Sequence, residues 1–265
     1  MSRSRRPTAL LLLAVAGCAL AAAGAARFSG TSHARAPAYT LMQMNLCLSG
    51  LASCFGRVAY PGVVDEAVTR IREAHPSAVT FNEACRNDVA LIARRTGYHL
   101  RFSRVIYGGR PLRCVRPGGR GLFGDAVLTR AAVESTVSRP FAAQEGIERR
   151  EWLCVATRAG VEVCTAHLNT REPDEVAGND AQCAELRTVL APRAARRTVI
   201  FGGDVNRRSS CAPASMWTLT DSASDQDGGL QHVYGSHALR SPSAAVLPAA
   251  HSDHDVLLAR AHLAR

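Results

Sequence analysis

Lysine is absent from this 265-residue chain, so all 32 of its basic side chains are arginines. GC-rich codon usage explains that as readily as function does. Aromatic residues make up only 5%, which argues against a large exposed aromatic surface. No run combines the roughly 20 strongly apolar residues and the flanks of a stable membrane-spanning helix, although an uncleaved N-terminal anchor stays open. There is no internal repeat and no linker-like stretch, so one large domain suits the length better than two small ones. A hydrophobic content of 47% with 20% charged residues excludes the disordered and fibrous classes.

The first residues read as a targeting segment. Arg3, Arg5 and Arg6 precede a short apolar core, ALLLLAVAG, and then small residues, CALAAAGAA. That is the layout of a secretory signal over residues 1–26, with cleavage near Ala23–Ala26. Val15-Ala16-Gly17-Cys18 also resembles a lipobox, so lipid anchoring through Cys18 is the alternative to free secretion. Residues 27–38 read as a short flexible segment, and 39–265 as a single domain. Subtracting Arg3, Arg5 and Arg6 from the formal charge of +10 leaves +7, because residues 1–26 hold no Asp or Glu. A basic surface favours anionic partners such as nucleic acid or phospholipid.

Export makes the cysteines readable. Beyond Cys18 there are eight, an even number that suggests up to four disulfides, and their spacing does not fit zinc sites. Cys47 and Cys54 can close a local loop. Cys154 and Cys164 lie symmetrically about Ala159-Gly160 in a predicted hairpin. Elimination leaves Cys85 with Cys114 and Cys183 with Cys211.

The elements alternate in the first half, and strands dominate later. Strands are expected at YTLMQMNLC (39–47), SAVTFNE (77–83), YHLRFSRVIY, DAVLTR, both halves of WLCVATRAGVEVCTAHLNT, TVIFGGD, LQHVYGS and the final DVLLARAHL. A helix follows Pro61. A second is expected to be capped by Asn87 and to stop at Gly97, and a third to start on an Asn179/Gln182 capping box and end at Pro192. Residues 207–228 read as polar loop with one short element at MWTLTD.

Polar residues gather at the strand ends. Asn45, Glu83, His167, Asp204 with Asn206, and Asp253 with His254 come from five elements. A hard divalent cation takes oxygen ligands and leaves room for water and substrate phosphate. Glu83, with Asn45 and Asp253, could supply them. Asp204 could orient or deprotonate a water, Asn206 and His167 could donate to phosphate oxygens, and His254 is a further acid/base candidate. Each residue alone has an ordinary structural reading, such as an Asx turn at Asp204 or a Glu83–Arg86 pair. The joint pattern outweighs those readings.

The motifs MNLC, TFNEAC, GDAVLTR, TAHLNT, IFGGDVN and SDHDVLL, in that order across residues 39–260, resemble the endonuclease/exonuclease/phosphatase (deoxyribonuclease I-like) superfamily. The resemblance implies a four-layer α/β/β/α sandwich of two packed, mainly antiparallel mixed sheets with the site at one edge. It implies Mg²⁺-dependent phosphoester cleavage, with Mn²⁺ or Ca²⁺ as substitutes. It makes Glu83 the main metal ligand with Asn45 and Asp253 nearby, gives Asp204 and Asn206 the nucleophile and the phosphate, and makes His254 the base. Two positions depart from the pattern. Gln231 stands where members commonly carry an aspartate that orients the final histidine, and Gln231, Asp221 or Asp255 is left to do so. Asp125 stands where many carry Asn, adding a carboxylate near the site or capping a turn.

Three functions follow in order: a monomeric exported nuclease cutting DNA or RNA; a sphingomyelinase, phospholipid or inositol phosphate phosphoesterase; and a non-catalytic binding protein on the same fold. Nothing implies a stable protein partner. Arg110, Arg113, Arg116 and Arg120 share one glycine-rich loop and could contact phosphates. The arginines of REWL read as solvated charges.

Overall fold

Alternate side chains of a single strand enter two different cores, and that alternation sets the layering of the protein. In β1 (Ala38–Asn45), Tyr39 and Leu41 join one buried cluster while Met42 and Met44 join another. The structure, a computed structural model, describes residues 37–226 and 228–264. The signal segment, the lipobox at Cys18 and nearly all of the expected flexible segment lie outside the described residues.

Next along the chain come α1 (Gly62–Ala74), β2 (Ala78–Cys85), α2 (Arg86–Thr96), β3 (His99–Arg104), β4 (Ile106–Tyr107), β5 (Arg110–Pro111) and β6 (Phe123–Thr129). Then come β7 (Val133–Pro140), β8 (Glu148–Arg149), β9 (Glu151–Thr157), β10 (Val161–Ala166) and α3 (Val176–Ala194). The remaining strands are β11 (Thr198–Asp204), β12 (Met216–Thr220), β13 (Gln231–Ser236), β14 (Leu239–Leu247) and β15 (Val256–Leu263). Sheet I has the order β14-β15-β1-β2-β6-β3, sheet II the order β12-β13-β11-β10-β9-β7, and β5-β4-β8 form a small third sheet. Only β1–β2 in sheet I and β10–β11 in sheet II pair in parallel, so both large sheets are mixed and mainly antiparallel, as expected.

Three apolar clusters fill the three spaces between four layers. Val64, Val68 and Ile71 of α1 and Ile92 of α2 pack with Met42 and Phe81 on the outside of sheet I. Leu41, Val127, Leu153, Val163, Ile200 and Leu257 fill the space between the sheets. Leu186 and Leu190 of α3 cover Val199 and Phe201 of sheet II. The helical spacing after Pro61 reappears as the buried stripe Val63, Val64, Ala67, Val68 and Ile71 of α1.

All four expected disulfides are present: Cys47–Cys54, Cys85–Cys114, Cys154–Cys164 and Cys183–Cys211. Cys154 and Cys164 stand directly opposite each other across β9 and β10.

Several elements differ from the sequence reading. Asn87 does not cap α2; Cys85 holds the N-cap position, and Asn87 Nδ2 donates to Gly119 O at 2.9 Å. The third helix starts at Val176 behind Glu175, so Asn179 and Gln182 are buried inside it, and Pro192 lies within its last turn. Strands β7 and β14 escaped detection because they are sheet edges whose residues are mostly exposed, leaving no apolar alternation to read. The stretch read as one strand over YHLRFSRVIY divides into β3 and β4.

Gly202 and Gly203 set how closely the layers approach. A Cβ on Gly202 would overlap Thr80 Oγ1 of sheet I and lie 2.8 Å from Leu41 Cδ2, while one on Gly203 would overlap Ala166 O of the neighbouring strand. Gly202→Ala is expected to cost about 1–3 kcal/mol of unfolding free energy in chemical denaturation. A value near zero would mean that the sheet spacing is not fixed at this point.

Candidate active site

The residues singled out at strand ends meet at one edge of the sandwich. A β-bulge causes the first turn toward it. The register of β2 on β6 shifts between Phe81 and Ala84, and Glu83 takes a positive φ of 53°. An inserted residue re-aims the side chain beside it, and here the bulge delivers the Glu83 carboxylate. Asn45, at the end of parallel neighbour β1, donates through Nδ2 to Glu83 Oε1 at 2.9 Å and to Asp204 Oδ2 at 3.0 Å. Its Oδ1 accepts from the Cys47 N–H at 3.0 Å. A single carboxamide therefore bridges carboxylates from the two sheets, with its amide rather than its oxygen turned to the site.

Asp204 ends β11, and its Oδ1 accepts the Asn206 N–H at 3.0 Å. Asn206, at φ 51°, donates from Nδ2 to Leu168 O at 2.9 Å and faces His167 Nε2 at 3.0 Å. Both amide hydrogens are thereby engaged, and His167 Nε2 acts as acceptor. His167 Nε2 also lies 3.9 Å from Glu83 Oε1 and 4.0 Å from Asp204 Oδ2. His254 Nε2 lies 3.8 Å from Asp204 Oδ2. Asp253 sits to one side, where its Oδ2 pairs with Arg57 at 3.0 Å and its Oδ1 is buried without a hydrogen-bond partner. Glu83, His167, Asp204, Asn206 and His254 all line one cleft of about 330 Å³.

The buried polar residues of α3 hold this edge together. Asn179 Nδ2 donates to Asn169 O at 2.6 Å and to Val205 O at 3.0 Å, and Gln182 exchanges bonds with the Asn169 backbone and side chain. They lock the segments after His167 and Asp204 to the helix, which is the role that replaces the expected capping box.

Gln231 does not orient His254. Its Nε2 donates to Asp255 O at 2.7 Å and Asp221 Oδ2 at 3.2 Å, and its Oε1 accepts from Gln43 Nε2 at 3.4 Å. Asp255 binds Ser224, Gln226 and the Ala249 N–H instead, and His254 Nδ1 is buried with no partner among the described residues.

Sequence reasoning missed Arg150. It lines the cleft, Nη2 pairs with Glu148 at 3.0 Å, and Nη1 is buried without a partner. It is not a solvated charge, because β9 runs antiparallel to β10 with Trp152 opposite Ala166. The start of β9 therefore reaches the same edge as the end of β10. Arg120 is the opposite case. It is 4% exposed, pairs with Asp88 at 3.1 Å and stacks on Tyr60, so it braces its loop and is not offered to phosphate; Arg110, Arg113 and Arg116 are exposed.

Burial and charge push the titrating groups apart. Burial raises Glu83 to about 7, against the Asn45 hydrogen bond and Arg150, which lower it. Burial also drives His167 well below the usual histidine value, with Arg150 and His254 adding to the effect. For His254, burial acts downward, but Asp204, Asp253 and Glu83 outweigh it and the net shift is upward. Among the described residues, two groups of His, Cys, Asp and Glu lie close enough to hold a metal, Cys47/Cys54/Glu83 and Cys154/Glu162/Cys164, but the cysteines of each are joined as disulfides.

A family model described as Endonuclease/Exonuclease/phosphatase matches residues 55–254. The chain belongs to that family. Its members are hydrolases of phosphoester bonds and depend on divalent metals. Among solved structures, the human Nocturnin catalytic domain with bound sulfate is 16% identical, with a TM-score of 0.66 over 87% of this chain and 95% of that one. An endonuclease/exonuclease/phosphatase from Beutenbergia cavernae is 20% identical, with a TM-score of 0.63 over 87% of this chain and 72% of that one. D. rerio TDP2 complexed with a single-strand DNA product is 12% identical, with a TM-score of 0.57 over 85% and 99%. At these identities the likeness concerns the fold. A search of curated proteins gave no match.

Asp125 lies within β6, so it caps no turn. It is 3% exposed, accepts from Asn82 Nδ2 at 2.9 Å, and burial raises it to about 7. A carboxyl raised on folding favours the folded state below its unfolded value, and that advantage is lost as pH rises through the folded value. Asp125→Asn keeps an acceptor for Asn82 without the charge. It should be more stable than wild type at pH 8, by at most about 4 kcal/mol, and indistinguishable below about pH 4. Urea unfolding across pH checks this, and a pH-independent difference would reject it.

Proposed function

We propose that the protein is an exported, divalent-metal-dependent phosphodiesterase whose substrate is a polynucleotide. The observation that carries the reading is the meeting of Asn45, Glu83, His167, Asp204, Asn206, His254 and Arg150 at one cleft. Export is supported by the N-terminal signal pattern and by four disulfides, and no helix among the described residues is long and apolar enough to cross a membrane.

The donor set suits a hard cation. Glu83 is a half-buried carboxylate whose ionised form is disfavoured chiefly by desolvation, and Asp253 Oδ1 is an orphaned buried acceptor. Glu83 would hold the ion, with Asn45 turning its carboxamide oxygen inward and Asp253 close by. Bound Mg²⁺, or Mn²⁺ or Ca²⁺ in its place, would polarise the phosphate and offset its developing negative charge. Asp204 orients the attacking water, fixed by the Asn45 and Asn206 bonds. His254, the residue facing Asp204, takes the proton. Neutral His167 keeps Asn206 in place, and the free Nη1 of Arg150 meets the phosphoryl oxygens.

The exposed arginines and the charge of +7 that remains without residues 1–26 favour nucleic acid. One observation favours a lipid phosphodiester instead. Leu51 and Tyr107 are exposed at the cleft, and Ile147, 57% exposed, lies beside its lining residue Glu148.

The test uses the oxidised mature protein on supercoiled plasmid, sphingomyelin vesicles and phosphoinositides. Nicking with Mg²⁺, none with EDTA, and a loss of about 10²–10⁴-fold in His254→Ala is the expected result. A base must be neutral to act, so kcat/KM should rise with pH as His254 loses its proton. Metal-dependent turnover confined to the lipids would replace the nuclease reading, and no turnover by folded protein would leave a binding protein.

A further inference from the structure

A second basic depression of about 530 Å³ adjoins the catalytic cleft and shares Asn206 with it. Arg171, Arg207 and Arg208 line it. Arg171 follows Thr170, and Arg207 follows Asn206; both of these neighbours line the cleft itself. The two arginines leave different loops, one after β10 and one after β11, yet converge on α3. Their Nη1 atoms lie 2.5 and 2.7 Å from Asp180 Oδ1, and each is 3.2 Å from Asn179 Oδ1. Asp180 thus acts as a spacer that fixes two guanidinium groups side by side. Arg208 lays its stem against Gly229, and its guanidinium has no ion pair or hydrogen bond among the described residues. Three cations against one carboxylate leave a net positive depression that opens onto Asn206 at the edge of the cleft.

We propose that Arg171, Arg207 and Arg208 bind the phosphate adjacent to the scissile one in a polynucleotide chain. The inference rests on the phosphodiesterase reading and narrows it. A polynucleotide carries a further phosphodiester one nucleotide from the bond that is cut. A sphingomyelin headgroup has a single phosphate and would leave the arginines unused. Phosphates clustered on one inositol ring would have to occupy one depression, whereas here two meet only at Asn206.

The test separates this subsite from the chemistry. His254→Ala protein in EDTA is titrated with a fluorescent ten-nucleotide single-stranded DNA over a range of salt, alone and combined with Arg208→Gln or Arg171→Gln. Each arginine variant should weaken binding about three- to tenfold, and the slope of log affinity against log salt should fall by about 0.7 per lost phosphate contact. In the His254 background with Mg²⁺, the same variants should lose at least about tenfold more kcat/KM on the decamer than on bis(4-nitrophenyl) phosphate, which has one phosphodiester and no neighbour. Arg208 supports no other residue, so its variant should melt as wild type does. Equal losses on both substrates, or an unchanged salt slope, would overturn the subsite while leaving a phosphodiesterase. Binding that needs these arginines, with no cleavage by wild type, would reject the nuclease and keep the subsite. Arginine-dependent binding of phosphoinositide vesicles but not of the decamer would overturn the polynucleotide assignment.

Discussion

The two sheets of this protein are joined at the functional edge by hydrogen bonds from two asparagines, and the arrangement of the site depends on them. Asn45 Nδ2 reaches Glu83 in its own sheet and Asp204 in the other. Asn82 Oδ1 accepts the Asp204 N–H at 2.8 Å and Gln43 Nε2 at 2.8 Å, while its Nδ2 serves Asp125. The apolar fill between the sheets would by itself permit small sliding, since hydrophobic contact is non-directional. Directional bonds at buried amides do not permit it, because each broken bond would strand a desolvated polar group. The seam therefore converts a layered fold into a fixed constellation of carboxylates.

Concentrating acids in a buried seam opposes stability, and the shifts of Glu83 and Asp125 to about 7 express that opposition. The charges nearby divide the two histidines. His167 lies close to Arg150 and is held neutral, which suits the acceptor role of its Nε2 toward Asn206. His254 is surrounded by carboxylates and is held toward the protonated form. Two imidazoles at one cleft are thus given different protonation preferences, His167 by burial with Arg150 adding to it and His254 by carboxylates that outweigh its burial. The left-handed backbone at Glu83 and Asn206 adds strain at the same edge.

Fold class and most of the strand-end residues that meet at the candidate site were legible because both depend on strand ends. Apolar runs such as TVIFGGD and SAVTFNE announce central strands, and the residue that closes each run marks the edge. What escaped lies outside that signal. Edge strands β7 and β14 carry exposed residues and no alternation. Asn179 and Gln182 have the composition of a capping box but the burial of a brace. Arg150 immediately precedes a strand rather than closing one, and only the antiparallel pairing of β9 with β10 reveals that this end faces the cleft. Arg120 shows the converse, since its glycine-rich neighbourhood suggested a phosphate contact and the buried Asp88 claims it. Pairing direction and burial are tertiary facts, so residues whose roles depend on them cannot be sorted by local pattern.

Gln231 illustrates how a substitution can move a charge without deleting it. The position lies within hydrogen-bonding reach of Asp221, a fully buried carboxylate beyond the end of the neighbouring strand β12, whose Oδ1 accepts the Gly229 and Gln231 N–H groups and whose Oδ2 accepts Gln231 Nε2. Asp221 still raises His254 electrostatically, after Asp204, Asp253 and Glu83. The imidazole therefore keeps its favourable field but loses a direct acceptor at Nδ1. Field and orientation, which a single aspartate would supply together, are separated in this chain: carboxylates around the cleft set the charge on His254, and its Nδ1 is held by no hydrogen bond among the described residues.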